Sequence, residues 1–498
     1  MDFKRIALLA ALLGLAAPAL ADVPALPPTN LPVQVDAALA AAPKGTRFGL
    51  LVVDEQGKAV ISLNPDQRFI PASNTKLFTT AAAYALLPGM DLPDAAGGTQ
   101  VFLVRGKGRG AANVVLYGRG DARLSSAPDC VIDCLSALAD AVAAKIRVIG
   151  DVVGDDTAFM DQRWSPGMSW NNFGSNDATA ASALSLDSNA LTVRVAPGAV
   201  GSPPLVTASG YVSIHNEAVT LEPLDPAEPN GKLSLEHSPN SRDFRLYGYM
   251  PANAGEWQEH IGIDDPADFA AWRFAQMLRE RGVQVRGRVR VVHRAPDVVP
   301  GVSLVNGIAA DVNHAKLGSP LASLTPAPLT QDITIINKVS QNHHAEMLLR
   351  RISVQSGNGS LEDGLAAERA LFEQAGLPRE GYDFSDGSGM STYNRVSPRA
   401  AVALLRWVAV QPWGLAWSAS FPIAGVDGTL KRRFVGTPLA SNLSAKTGTL
   451  NATSAISGRF RAASGRTLTF AFFANDVPDG QSAVAAMDAV LLVIAASN

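Results

Sequence analysis

From residue 46 to residue 53 the chain is almost wholly apolar, and a second apolar run covers 59–63. Between them lies the polar stretch Asp54-Glu55-Gln56-Gly57-Lys58. Two apolar runs joined by a short polar segment with a glycine predict a β-hairpin. Pro71-Ala72-Ser73 then leads into 74–87, where apolar positions recur at helical spacing until Pro88-Gly89 stops them. Near the other end, 443–446, 452–461 and 467–474 have the residue types of three antiparallel strands, with Ser464-Gly465 as one turn. A mostly apolar segment at 481–496 predicts a closing helix buried in a core. The two ends together supply enough strands and helices for one α+β domain, an antiparallel sheet flanked by helices.

The middle has a different texture. Short strands, prolines and glycines dominate from 97 to 303, with helical patterns only near 134–145 and 266–281. The stretch 195–249 shows no helical period and many turn residues, which predicts a small β-rich unit. A chain of 498 residues suggests about three domains. The expected division is a discontinuous outer domain over 22–95 and 318–498, carrying two inserted β-rich domains. The first insertion takes 96–193 and 286–317, the second 194–285.

The first residues bear on location. Lys4 and Arg5 precede an apolar run over 6–17, and Ala19-Leu20-Ala21 follows. This order predicts a secretory signal peptide cut before Asp22, and so a secreted, periplasmic protein. No later stretch reaches ~18 uninterrupted apolar residues, so no transmembrane anchor is expected. A formal net charge of −3 offers nothing to attract nucleic acid. Cys130 and Cys134 are the only cysteines. In an oxidising compartment they can pair, and the alternative is two buried thiols. With no histidine near them in sequence they make a poor zinc site, and no metal or cofactor is expected.

Three short motifs carry chemistry. Ser73-Asn74-Thr75-Lys76 puts a serine at a helix start and a lysine three residues on, on the same face. A neutral lysine there can take the serine's proton, once burial and the helix N-terminus have lowered its pKa. Alone, the string also fits a helix N-cap followed by a solvated lysine. Lys446-Thr447-Gly448, followed by Thr449, lies in a strand pattern. The lysine suits a substrate carboxylate, and a glycine in a strand marks a close backbone approach. An edge-strand lysine beside a bulge is the plainer alternative. Ser340-Gln341-Asn342 follows an apolar run and opens a helix over 342–351. His343 and His344 adjoin it without the spacing of a metal site. If the three motifs converge, they form a serine nucleophile activated by lysine.

Taken in this order, the motifs resemble those of the penicillin-recognising serine acyltransferases. The strings PASNTKLFTTAAA, YGRGDARL, SALSLDSNALTVRVAPG, DGSGMS and SAKTGTLNATSAISGRF resemble one branch, the low-molecular-mass class C penicillin-binding proteins. The resemblance implies a serine β-lactamase-like, transpeptidase-type fold. It implies a D-alanyl-D-alanine carboxypeptidase/endopeptidase acting on peptidoglycan peptides and acylated by β-lactams, with no metal. Carried over to this chain, it makes Ser73 the nucleophile and Lys76 its base. Ser340 would relay a proton to the leaving amine, and Asn342 would orient Lys76 and substrate. Lys446 would bind the terminal carboxylate with the Thr447 and Thr449 hydroxyls, along the strand that Gly448 opens to the ligand. The backbone N–H groups of Ser73 and Thr449 would form the oxyanion hole. Asp156, in GDDTAF, resembles an acid that meets a side-chain amine of the substrate. Two positions depart from the pattern: Gln341, and Thr392 where many relatives carry arginine.

Rival functions leave marks that are missing here. One class of β-lactamase uses a Glu-x-x-Leu-Asn loop, and a lipase-like hydrolase needs a Gly-x-Ser-x-Gly elbow. Neither string occurs. A penicillin-binding sensor without turnover would keep all three motifs.

Overall fold

The computed structural model describes residues 30–105, 110–223, 231–299, 302–305, 308–309 and 317–498. The expected signal peptide lies outside them. The two chain ends build one five-stranded antiparallel sheet, in the order Ala59–Leu63, Arg47–Val53, Thr467–Asn475, Thr453–Arg461, Leu443–Leu450. The unbroken apolar run in Arg47–Val53 has a physical cause, because both faces of the sheet are covered. Leu50 and Val52 face a core shared with Met487, Val490 and Ile494 of the C-terminal helix Val484–Ser497. Leu51 and Val53 face the opposite core, with Phe78, Leu404 and Val408. Each such fully buried side chain contributes roughly 1.5–3 kcal/mol of transfer free energy.

The helix Thr75–Leu86 runs through that second core, and every residue from Thr75 to Ala83 is buried. It stops where Leu87 turns extended ahead of Pro88. The helices Leu329–Lys338 and Asn342–Ser356 pack beside it and bring the middle motif to its side.

Between the chain ends, a seven-stranded sheet is centred on the parallel strands Asn113–Tyr117, Val152–Met160 and Val289–Val299. The helices Leu135–Lys145 and Pro266–Glu280 share its core. Two smaller sheets, one of four strands and one of three, pack over Val193, Val195, Phe244, Leu246 and Ile261. Two packing details lie at the edges of the expected divisions. The helix Pro266–Glu280 belongs with the larger sheet, since its apolar face meets Leu135, Leu138 and Val142. Its approach is close: a Cβ on Gly154 would lie 2.5 Å from the Ala267 carbonyl oxygen. The strand Ala322–Ser323 also pairs into that sheet, against Gln100–Val104.

Cys130 and Cys134 are disulfide-bonded at the entry to the helix Leu135–Lys145. Closing so short a loop is worth about 2 kcal/mol at most. Cys134→Ser should therefore lower the denaturation midpoint slightly and leave labelling of the protein by penicillin unchanged. Loss of labelling in the variant would mean that the loop supports the cleft. Unfolding curves and a labelling gel on the same preparation check both.

Candidate active site

Ser73 sits in a tight turn, Ala72–Asn74, that runs straight into the Thr75–Leu86 helix. Ala72 has φ of +46°, a left-handed conformation that costs a non-glycine residue about 1–3 kcal/mol. Its neighbours hold it there. A Cβ on Gly389 (φ +90°) would lie 2.0 Å from the Ala72 carbonyl oxygen, and one on Gly448 would lie 2.9 Å from the Ser73 nitrogen. Glycine at these two positions lets a loop and an edge strand close on the serine from either side. The Asn74 amide donates to the Lys446 carbonyl at 3.2 Å and ties the helix start to that strand.

Lys76 is fully buried. Its Nζ lies 2.9 Å from Ser73 Oγ and 2.5 Å from Asn342 Oδ1, and it donates to the Ser388 carbonyl. The Asn342 amide is oriented by its Nδ2, which donates to the Asp177 carbonyl at 2.7 Å. Two of the three neighbours of Nζ can therefore only accept, while the Ser73 hydroxyl can also donate. The charged amine donates to all three; once neutral, it keeps two N–H bonds on the obligate acceptors and turns its lone pair to the serine proton. Burial pushes the Lys76 pKa down to about 8, against the pull of Asp386, Glu346 and Asp177.

Those carboxylates also shape the site. Glu346, one helical turn beyond Asn342, accepts from the backbone amides of Gly387 and Ser388 at 3.1 and 2.9 Å. Asp386 accepts from the amides of Gly389 and Ser391 at 2.9 and 2.6 Å, and from Asn394 Nδ2 at 2.6 Å. Together they hold the loop that aims the Ser388 carbonyl at Lys76. Burial, then the nearby Glu346, pushes the Asp386 carboxyl up to about 6.

Ser340 has φ of +64°, and its Oγ accepts from Lys446 Nζ at 2.9 Å. Lys446 lies in the strand Leu443–Leu450, is fully buried, and donates also to the Thr447 carbonyl at 2.8 Å. Burial, reinforced by Lys76, pushes its pKa well down. A cleft of about 390 Å³ opens over Ser73, Ser340, Asn342, Thr447, Gly448 and Thr449, with Asp177, Met390 and Arg433 in its walls. Arg433 is ion-paired with Asp488. The Thr447 hydroxyl donates to Thr429 Oγ1 at 2.7 Å. The three motifs thus share one cleft.

Asp156 stands apart and requires a correction. It is buried, accepts from the Ser182 hydroxyl at 2.7 Å, and pairs with His293 Nδ1 at 3.0 Å. It does not line the cleft. A buried carboxylate with both oxygens engaged is not offered to a substrate amine. The acidic residue in the cleft wall is Asp177, which no motif marks in the sequence. Thr392 is likewise committed, its hydroxyl donating to the Gly167 carbonyl at 2.9 Å. His344 contacts Asp332 and Ser188, and burial pushes the neighbouring His343 down to about 3.

The Asp156 pair has a pH signature. Burial alone would lower the His293 pKa, but Asp156 and Asp265 outweigh it and raise the group to about 10. A histidine whose folded pKa is raised stabilises the fold fully below about 6.5, and the contribution fades as pH rises through its folded pKa. Asp156→Asn should cost on the order of 2 kcal/mol near pH 6 and much less near pH 10. It should affect peptide hydrolysis equally whether or not the peptide carries a side-chain amine. Denaturation midpoints at the two pH values, with rates on paired peptides, check both parts.

Comparison with known proteins gives the site its context. Residues 31–494 match the model of the D-Ala-D-Ala carboxypeptidase 3 (S13) family. The chain is 33% identical to a D-alanyl-D-alanine carboxypeptidase of Actinomadura sp. (strain R39), over 97% of this chain and 88% of that protein. It is 25% identical to the D-alanyl-D-alanine carboxypeptidase DacB of Haemophilus influenzae, over 91% of this chain and 90% of that one. The fold superposes on the crystal structure of penicillin binding protein 4 from Haemophilus influenzae with a TM-score of 0.77 at 21% identity, covering 92% of this chain and 97% of that one. A family match spanning nearly the whole described chain, joined to a fold that superposes over its length, establishes that the protein belongs to the D-Ala-D-Ala carboxypeptidase 3 (S13) family, the class C penicillin-binding proteins.

Proposed function

We propose that the protein is a serine-type D-alanyl-D-alanine carboxypeptidase, with endopeptidase action on cross-links, that cleaves peptidoglycan stem peptides through an acyl-enzyme on Ser73. The observation that carries this reading is the placement of Lys76: a buried amine nitrogen 2.9 Å from Ser73 Oγ, held there by two obligate acceptors. As the Ser73 oxygen attacks the scissile carbonyl, its proton passes to the Lys76 lone pair. The developing oxyanion turns to the backbone N–H groups of Ser73 and Thr449. The leaving D-alanine takes a proton through Ser340, and its carboxylate lies against Lys446 and the hydroxyls of Thr447 and Thr449. That anion favours the charged form of Lys446, which burial and Lys76 disfavour. Water then repeats the sequence on the acyl-enzyme and frees the serine. A β-lactam carbonyl enters by the same route.

Among the described residues no helix is long and apolar enough to cross a membrane. With the expected signal peptide, this fits a protein exported to the periplasm, where its substrate lies.

The test is to incubate the protein with a peptide ending in D-Ala-D-Ala and with a labelled penicillin. One D-alanine should be released per cleavage, and the label should map to the peptide that contains Ser73. Penicillin labelling with no release of D-alanine would identify a binding protein without peptidase turnover.

A further inference from the structure

A second concavity of about 680 Å³ lies between the segment 170–175 and the strands Lys232–His237 and Trp257–Gly262. We propose that this groove binds the glycan strand that carries the stem peptide, a neutral polymer of N-acetylated amino sugars. The inference rests on the peptidase reading of the cleft and extends it to the sugar part of the same substrate.

The groove has the chemistry of a sugar site. Trp170, Phe173 and Trp257 line it, with Ser234, Asn171 and Glu259 among them. Trp170 is 81% exposed, so it contributes little to the core, and its ring face is free to stack on a ligand. A pyranose ring presents an apolar C–H face to an aromatic plane, while its hydroxyl and acetamido groups need hydrogen-bond partners at the edge. No lysine or arginine is among the residues lining the groove, which disfavours a polyanion. The sugar acid that bears the stem peptide has its carboxyl in amide linkage and is neutral as well.

Position supports the same occupant. The groove and the catalytic cleft share one segment: Phe173 and Ser175 line the groove, and Asp177 lines the cleft. That segment is held in place. Phe173 stacks on Trp164 with ring centres 5.0 Å apart, Trp164 Nε1 donates to the Ala178 carbonyl at 3.0 Å, and Ser175 bridges to Ile261. An extended pentapeptide spans at most about 18 Å, so a glycan whose stem peptide occupies the cleft must lie on a neighbouring surface.

The experiment compares the wild type with Trp170→Ala and Trp170→Phe on three probes. These are the β-1,4-linked N-acetylglucosamine tetramer, a free pentapeptide ending in D-Ala-D-Ala, and the same pentapeptide carried on a peptidoglycan tetrasaccharide. The tetramer should quench wild-type tryptophan fluorescence, and calorimetry should give a Kd about tenfold higher in Trp170→Ala, with Trp170→Phe near the wild type. The wild type should show a lower KM for the glycan-borne peptide than for the free one. Trp170→Ala should remove that difference and leave kcat and penicillin labelling unchanged. Tetramer binding unchanged in Trp170→Ala, or equal KM values for both peptides in the wild type, overturns the proposal. If the tetramer binds through Trp170 but neither peptide is hydrolysed, the peptidase reading fails and the sugar site stands.

Discussion

Lys76→Arg should lower the rate of acylation by a β-lactam about a thousandfold, although it keeps a cationic side chain. Two physical reasons converge. A guanidinium is effectively never deprotonated, so it cannot take the Ser73 proton. It is also planar and longer, and the buried slot between Ser73, Asn342 and Ser388 holds one nitrogen with three partners. In the wild type the base is active only when neutral. With Lys76 lowered to about 8 by burial, kcat/KM should rise as pH increases through that value and level off above it. Stopped-flow acylation of both proteins from pH 6 to pH 10 tests the idea. A near wild-type rate for the arginine variant would remove Lys76 from the role of base.

Ser73→Ala should abolish covalent labelling by penicillin while leaving the fold intact. The substitution removes one oxygen at the lip of the cleft and no core packing, since the cores on either side are built from Phe78, Leu77 and their neighbours and from Ala445 and Ile456. The amides that would hold the oxyanion and the Lys446 side chain remain. Reversible penicillin binding should therefore survive, with no adduct in the intact mass. Wild-type stoichiometry of labelling in Ser73→Ala would place the nucleophile elsewhere.

Much of this site was legible in the linear sequence, for identifiable reasons. The turn, helix start and lysine of Ser73–Lys76 are local, so three residues of spacing fix a shared helical face. The strand carrying Lys446 reads from its residue types, and it extends over Leu443–Leu450, past the segment expected. The hairpin and the three late strands read equally well because each has apolar residues on both faces, the mark of a sheet covered on both sides. The group that completes the base was not legible. It is the Ser388 carbonyl, and a backbone oxygen carries no residue-type signal. Glu346 and Asp386, which position it, look like ordinary helix and loop acids until their amide partners are seen. Glu346 alone left a trace, four residues beyond Asn342 on one helical face.

The Asp156 assignment shows the limit from the other side. A short string can resemble a functional acid while the fold directs the carboxylate inward, to His293 and Ser182. The helix Pro266–Glu280 shows it at the level of packing. Its amphipathic pattern declares a buried face, but either neighbouring unit could have covered that face.

By itself, then, the sequence determined the elements and the reactive pair, because helical spacing and two-faced burial are properties of neighbouring residues. Only the tertiary structure decided which distant groups surround Lys76, which acid faces the cleft and which core each inserted element joins. Those depend on contacts between residues hundreds of positions apart, such as Lys76 with Asn342 and Ser388, and on backbone atoms that every residue type shares.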